Sequence, residues 1–126
     1  MKTILVDAWN TFVTEDGVNE DLQNFLEQYE NPKIIVTNAN EDQKISLGIV
    51  DMPYEVYSLA HNPDKDSPVY FEKFFAEFGL TKDDVVYFEH NEDAVKCGKS
   101  LGIPTFWYQK WEDNREKLKT FFENNL

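Results

Sequence analysis

Ile4-Leu5-Val6-Asp7-Ala8-Trp9-Asn10-Thr11 is the stretch that decides the fold. An apolar run ends on a carboxylate, and a threonine follows four residues later. A buried parallel strand reads as a near-continuous apolar run, because both of its faces are covered. Its last residue then stands at the carboxyl edge of the sheet, where open α/β sheets bind ligands. Read by itself, Asp7 is better taken as a residue that only caps a turn, so the rest of the chain has to decide.

Working outward, Thr3 to Asp7 is the first strand. Phe12 to Val18 contains Asp16-Gly17 between β-prone residues, a tight-hairpin signal, and predicts a small flap over the end of that strand. Asn19 is a helix N-cap, and Leu22, Phe25, Leu26 and Tyr29 recur on one helical face until Asn31-Pro32 ends the helix. Lys33 to Thr37 is the second strand. A second helix begins near Asn40, with Gln43 completing a capping box, and stops at Gly48. Tyr54 to Leu59 is a third strand nearer an edge, followed by a polar loop from Ala60 to Ser67.

Ser67 as N-cap, Pro68 at the first helical position and Gly79 just past the end bound a third helix with the stripe Phe71, Phe74, Phe75 and Phe78. Val85 to Phe88 is the fourth strand, ending at Glu89. Asn91 to Leu101 is the fourth helix, whose small Ala94, Cys97 and Gly98 suit a close approach to the sheet. Pro104 to Tyr108 is the fifth strand, and a last helix carries Trp111, Leu118, Phe121 and Phe122. Five strands alternating with helices predict a parallel sheet covered on both faces, with right-handed crossovers, in a single domain spanning residues 1–126.

Composition narrows the function. The chain has 126 residues, 41% of them hydrophobic, which suits one ordered core. Its net charge of −12 argues against non-specific binding to nucleic acid or an anionic membrane, since both need a positive surface. The lone cysteine, Cys97, excludes an internal disulfide and reads as a buried filler. With no signal-peptide pattern after Met1 and no apolar run of membrane-spanning length, a cytoplasmic location is expected.

Polar residues gather at strand ends: Asp7 and Thr11, then Thr37, then Glu89 and Asp93, with Lys65 just ahead of the third helix. Asp7-Ala8-Trp9-Asn10-Thr11, Val36-Thr37-Asn38, Lys65-Asp66-Ser67-Pro68 and Glu89-His90-Asn91-Glu92-Asp93 together resemble, in order, the four motifs of the haloacid dehalogenase-like (HAD) superfamily of phosphohydrolases. The resemblance spans nearly the whole chain. It implies a three-layer α/β/α Rossmann-like fold with a five-stranded parallel sheet in the order 5-4-1-2-3. It also implies Asp7 as the nucleophile that forms an aspartyl-phosphate, with Thr37 and Lys65 on the phosphoryl oxygens. Mg²⁺ would be held by Asp7, the Trp9 carbonyl, Glu89 and Asp93.

Two positions depart from the pattern. Trp9 stands where the family's phosphatases carry a second Asp that protonates the leaving group, and Trp cannot transfer that proton. Glu89 replaces the more usual Asp. Lys73 rivals Lys65 for the lysine role, but Lys65 fits the motif better. His90 reads as a partly exposed residue at a helix start rather than a substitute acid. Residues 12–36 between Thr11 and Thr37, and 38–64 between Thr37 and Lys65, hold only a flap and core elements, with no room for a cap insertion. An open site suits a large phosphorylated substrate, macromolecules included, or a covering partner such as a second copy of the chain.

The expected function is a weak Mg²⁺-dependent phosphatase. The alternative is a catalytically impaired HAD-fold protein that binds a phosphorylated ligand or a protein partner. A dehalogenase reading is echoed by Asp7-Ala8-Trp9-Asn10-Thr11, but the pair Glu89 and Asp93 speaks against it. A phospho-receiver would need an acceptor Asp after the third strand, and Tyr57-Ser58-Leu59-Ala60 offers none.

Overall fold

The computed structural model describes residues 1–126. Strand β1 (Thr3–Asp7) is buried along its whole length. A two-stranded antiparallel hairpin, β2 (Val13–Thr14) and β3 (Gly17–Val18), follows it. Then come α1 (Glu20–Leu26), β4 (Lys33–Thr37), α2 (Glu41–Leu47), β5 (Glu55–Ser58), α3 (Pro68–Phe78), a single 3₁₀ turn (Lys82–Asp84), β6 (Val85–Glu89), α4 (Glu92–Ser100), β7 (Thr105–Trp107) and α5 (Trp111–Asn125).

The main sheet runs β5-β4-β1-β6-β7, with every pair parallel. Its labels differ from the expected 5-4-1-2-3 because the hairpin strands lie outside this sheet yet enter the count. With the hairpin left out, the neighbours read from β7 are the fifth, fourth, first, second and third strands along the chain. β1 therefore sits between β4 and β6, and their carboxyl ends meet at one edge.

Alternation along the strands divides the core between two faces. Ile4, Val6, Ile35, Val86 and Phe88 face one way, against Leu22, Phe25 and Leu26 of α1 and Leu118 and Phe122 of α5. Leu5, Ile34, Val36, Val85 and Tyr87 face the other, against Tyr70, Phe71 and Phe74 of α3 and Cys97 of α4. Each such buried aliphatic or aromatic side chain contributes about 1.5–3 kcal/mol of transfer free energy. The rings also pack tilted or edge-on, as Phe74 does on Phe78 at 4.8 Å between centroids.

Local signals set the boundaries. Asn40 and Gln43 form a reciprocal capping box, and Gly48 closes α2 in the left-handed conformation at φ 78°. Ser67 caps α3 ahead of Pro68, and Gly79 ends it at φ 65°. Two expectations shift. α1 stops at Leu26, so Tyr29 packs from the following turn, and the third strand shortens to Glu55–Ser58, as its edge position and partial exposure dictate.

Gly98 marks the closest approach of α4 to the sheet. A Cβ there would lie 2.8 Å from Thr105 Oγ1 and 3.2 Å from Tyr87 Cδ2. The threonine hydroxyl is held by a 2.8 Å bond to the Ile103 carbonyl and has little room to yield. Overpacking costs about 1–3 kcal/mol, against a helix-propensity gain of about 1 kcal/mol for Ala over Gly. Gly98→Ala is therefore expected to lower unfolding free energy by up to about 2 kcal/mol. Urea unfolding at constant m-value checks this, and a stabilised variant would show that α4 is not in contact as described.

Candidate active site

Asp7 and Glu89 end the adjacent strands β1 and β6, and Thr37 ends β4 on the other side of β1. All three are buried, Asp7 and Glu89 almost completely. After Asp7 the backbone turns sharply. Asn10 takes the left-handed conformation at φ 63°, which Asn tolerates better than most side chains, and Phe12 N–H donates back to the Asp7 carbonyl. This return brings the Thr11 hydroxyl to Asp7 Oδ2 at 2.7 Å.

Lys65 reaches the same point from the loop between β5 and α3. Its backbone N–H donates to Asn38 Oδ1 at 2.7 Å, which anchors the loop to the end of β4. Its ammonium donates to Asp7 Oδ1 and Glu89 Oε1, both at 2.6 Å, and more weakly to the Val36 carbonyl at 3.3 Å. Lys73 is exposed on α3, away from this cluster. The Tyr87 hydroxyl donates to Glu89 Oε1, and Asn91 N–H donates to Glu89 Oε2 at 3.1 Å. Thr37 is braced by Tyr70, whose hydroxyl accepts from Thr37 N–H and has its single proton between the carbonyls of Thr37 and Tyr57, 3.0 Å from each.

His90 is more than a residue at a helix start. Its ring Nδ1 bonds to Asp7 Oδ2 and lies 3.4 Å from Glu89 Oε2, while its backbone N–H points at Asp7 Oδ2 from 3.3 Å. Trp107 Nε1 donates to the His90 carbonyl at 3.0 Å and fixes the loop. Sequence reasoning missed this role, although a histidine directly after a strand-end carboxylate was a visible signal. Burial alone would raise the Asp7 carboxyl pKa. The Lys65 charge and the His90 hydrogen bond overcome that and hold it well below the usual carboxylate range. Burial likewise disfavours charged Lys65, but Asp7 and Glu89 reverse the effect and raise it. Hydrogen bonds to Asp7 and Glu89 raise His90 to about 9.

Asp7, Thr37, Lys65, Glu89 and His90 line one cavity of about 190 Å³, together with Trp9, Gln43 and His61. That volume has room for a phosphoryl-sized group. Trp9 is half-buried in its wall. Asp93 lies elsewhere: it is exposed and lines a separate depression with Asp66 and Lys96, because the second position of α4 turns its side chain outward. Ligand atoms of Asp7, Glu89 and His90 all lie within 4.8 Å of one another. Two carboxylates in such a cluster fit a hard divalent cation such as Mg²⁺, which takes one or two carboxylates and completes its shell with water and phosphate oxygens.

No family model matches the chain, and no curated protein sequence does. Solved structures do match. An uncharacterized protein from Corynebacterium glutamicum ATCC 13032 Kitasato superposes with a TM-score of 0.64 at 15% identity, over 98% of this chain and 96% of that one. The core domain of a putative phosphoglycolate phosphatase from Streptococcus pneumoniae TIGR4 superposes with a TM-score of 0.61 at 15% identity, over 95% and 97%. At that identity the similarity establishes a shared fold. No helix of the chain is long and apolar enough to cross a membrane.

Two outcomes follow from the buried charges. Lys65→Met leaves two buried carboxylates without their ammonium and is expected to cost about 3–5 kcal/mol at neutral pH. The loss should shrink in acid as the carboxylates take up protons; urea unfolding at several pH values measures both, and an unchanged midpoint would mean that Lys65 does not bridge the pair.

His90 binds its proton more tightly folded than unfolded, since about 9 exceeds the usual 6.5. Its contribution to stability is therefore complete below pH 6.5 and is lost as pH rises through 9. Asp7, shifted downward, contributes above pH 3.8 and loses its share in stronger acid. Thermal melts without added metal should thus fall between pH 6.5 and 9 in the natural protein and less steeply in His90→Gln. Parallel curves would remove His90 as their source.

Proposed function

We propose that the chain is a HAD-like phosphohydrolase with an open, capless site, acting on phosphomonoesters through an aspartyl-phosphate on Asp7. The observation that supports this most is the buried Asp7–Lys65–Glu89 bridge at the carboxyl edge of a parallel sheet, lining a cavity with room for a phosphoryl group. The fold shared with a phosphatase core domain agrees with it.

In this reading Asp7 is ionised and desolvated, a state in which a carboxylate can attack phosphorus. Thr11 and the His90 N–H hold one of its oxygens and orient the other. Lys65 and Thr37 receive the phosphoryl oxygens, the ammonium offsetting charge that would otherwise repel the substrate. Asp7, Glu89 and the Trp9 carbonyl would hold Mg²⁺, which supplies further charge compensation to the transferring group. Asp93, exposed on α4, is not needed for that set. The cavity opens to the surface, so a bulky remainder of the substrate can lie outside it. That suits a phosphorylated macromolecule, or a second copy of the chain closing over the site. The net charge of −12 argues against direct nucleic-acid binding.

Trp9 on the cavity wall favours a second reading, a protein that binds a phosphoryl group without turning it over. Hydrolysis of 4-nitrophenyl phosphate separates the two. Asp7→Asn should reduce it by more than about 10³-fold, the scale of losing a nucleophile. Millimolar Mg²⁺ should raise the melting temperature of the natural protein and raise that of Asp7→Asn less. Binding of inorganic phosphate without any turnover would select the second reading.

A further inference from the structure

The loop that delivers Lys65 also carries His61, and its backbone is unusual. Ala60 and His61 both lie in the left-handed region, at φ 51° and 66°, where residues with a Cβ are uncommon. Two consecutive residues persist there only when their surroundings enforce it. The turn is held by Ala60 N–H on Ser58 Oγ at 3.1 Å and Asn62 N–H on the Leu59 carbonyl at 3.0 Å. Its effect is to place the His61 ring on the wall of the cavity that contains Asp7, Thr37 and Lys65.

The ring is gripped at both nitrogens. Nδ1 donates to Asp64 Oδ1 at 2.7 Å, and Nε2 donates to Gln43 Oε1 at 2.6 Å. Gln43 cannot be turned over, because the same oxygen accepts the Asn40 N–H at 3.0 Å in the α2 capping box. An amide oxygen only accepts, and a carboxylate only accepts, so each ring nitrogen faces an acceptor and the site is shaped for a ring that presents N–H on both sides. The side chain is 44% exposed, whereas that of Asp7 is 2% exposed. His61 thus stands at the mouth of the site as an oriented proton donor, and Asp7 lies at the floor.

We propose that His61 is the acid that protonates the leaving group, a role Trp9 cannot fill; this rests on the phosphohydrolase reading above. In-line displacement by a nucleophile at the floor sends the ester oxygen toward the mouth. Asp7 forms its bond to phosphorus as the phosphorus–ester bond breaks. The Nε2 proton passes from His61 to the departing oxygen in place of its bond to Gln43, and the alcohol leaves. Neutral His61, still held by Asp64, then takes a proton from the water that attacks the aspartyl-phosphate. Phosphate and Asp7 are released and the imidazolium is restored, so the net change is ester plus water to alcohol plus phosphate.

The test compares 4-nitrophenyl phosphate, whose leaving group needs no proton, with an alkyl phosphate such as ethyl phosphate, whose leaving group does. His61→Asn should lower kcat/KM for the alkyl ester by about 10²-fold or more and for the nitrophenyl ester by less than about 5-fold, the selective loss expected of an acid. Asp64→Asn, which leaves the ring in place, should show the same selectivity with smaller losses. Circular dichroism and melting temperature confirm folding. Equal losses on both esters, or none, in folded variants would overturn the role of His61 and leave the phosphohydrolase reading standing. A natural protein that hydrolyses neither ester would overturn both.

Discussion

One ammonium group holds the site together. Lys65 Nζ lies 2.6 Å from Asp7 and 2.6 Å from Glu89, with the Val36 carbonyl as its third acceptor. Its contacts therefore come from the ends of β1, β6 and β4, three neighbouring parallel strands. Adjacent strands lie about 4.8 Å apart, a separation that one ammonium spans. The Lys65 charge is the largest influence that holds the buried Asp7 carboxyl below its ordinary range against the cost of burial. The topology and the electrostatics are thus one constraint. β1 must be central, β6 must be its neighbour, and the β5–α3 loop must fold inward far enough to bury a lysine.

That constraint explains which parts of the molecule were legible in the sequence. The runs Ile4 to Val6, Ile34 to Val36 and Val85 to Phe88 announce buried parallel strands, because nothing else tolerates apolar side chains on both faces. Asn40 with Gln43, and Ser67 with Pro68 and Gly79, announce helix ends through hydrogen bonds that are local in sequence. Asp7, Thr37, Lys65 and Glu89 were legible as residues at strand ends and ahead of a helix.

What escaped was non-local. Tyr70 reads as one more ring of the α3 stripe, yet its hydroxyl braces Thr37, a partner set by how α3 lies on the sheet. His90 depends on β1 and β6 being neighbours, and His61 on a pair of left-handed residues without glycine, for which no composition signal exists. Asp93 illustrates the converse. Its spacing from Glu89 looks like a ligand pair, but α4, capped by Asn91 and starting at Glu92, turns it to solvent, away from the cluster.

Charge balance ties floor and mouth together. Two carboxyl groups, Asp7 and Glu89, are matched by two basic ones, Lys65 and His90, with His90 raised to about 9. The cluster is neutral by itself. A phosphomonoester dianion would upset it, and the protein's −12 offers no help, although surface charges beyond about 8 Å are largely screened at physiological salt. The deficit must be met locally. In the proposed reading Asp7 and Glu89 at the floor would hold a divalent cation that supplies part of it. In the proposed displacement His61 would meet it at the mouth, where negative charge develops on the departing oxygen. Held between Asp64 and Gln43 on the Lys65 loop, His61 lines the same cavity as Asp7 and Lys65, so in the proposed displacement one loop would serve both ends.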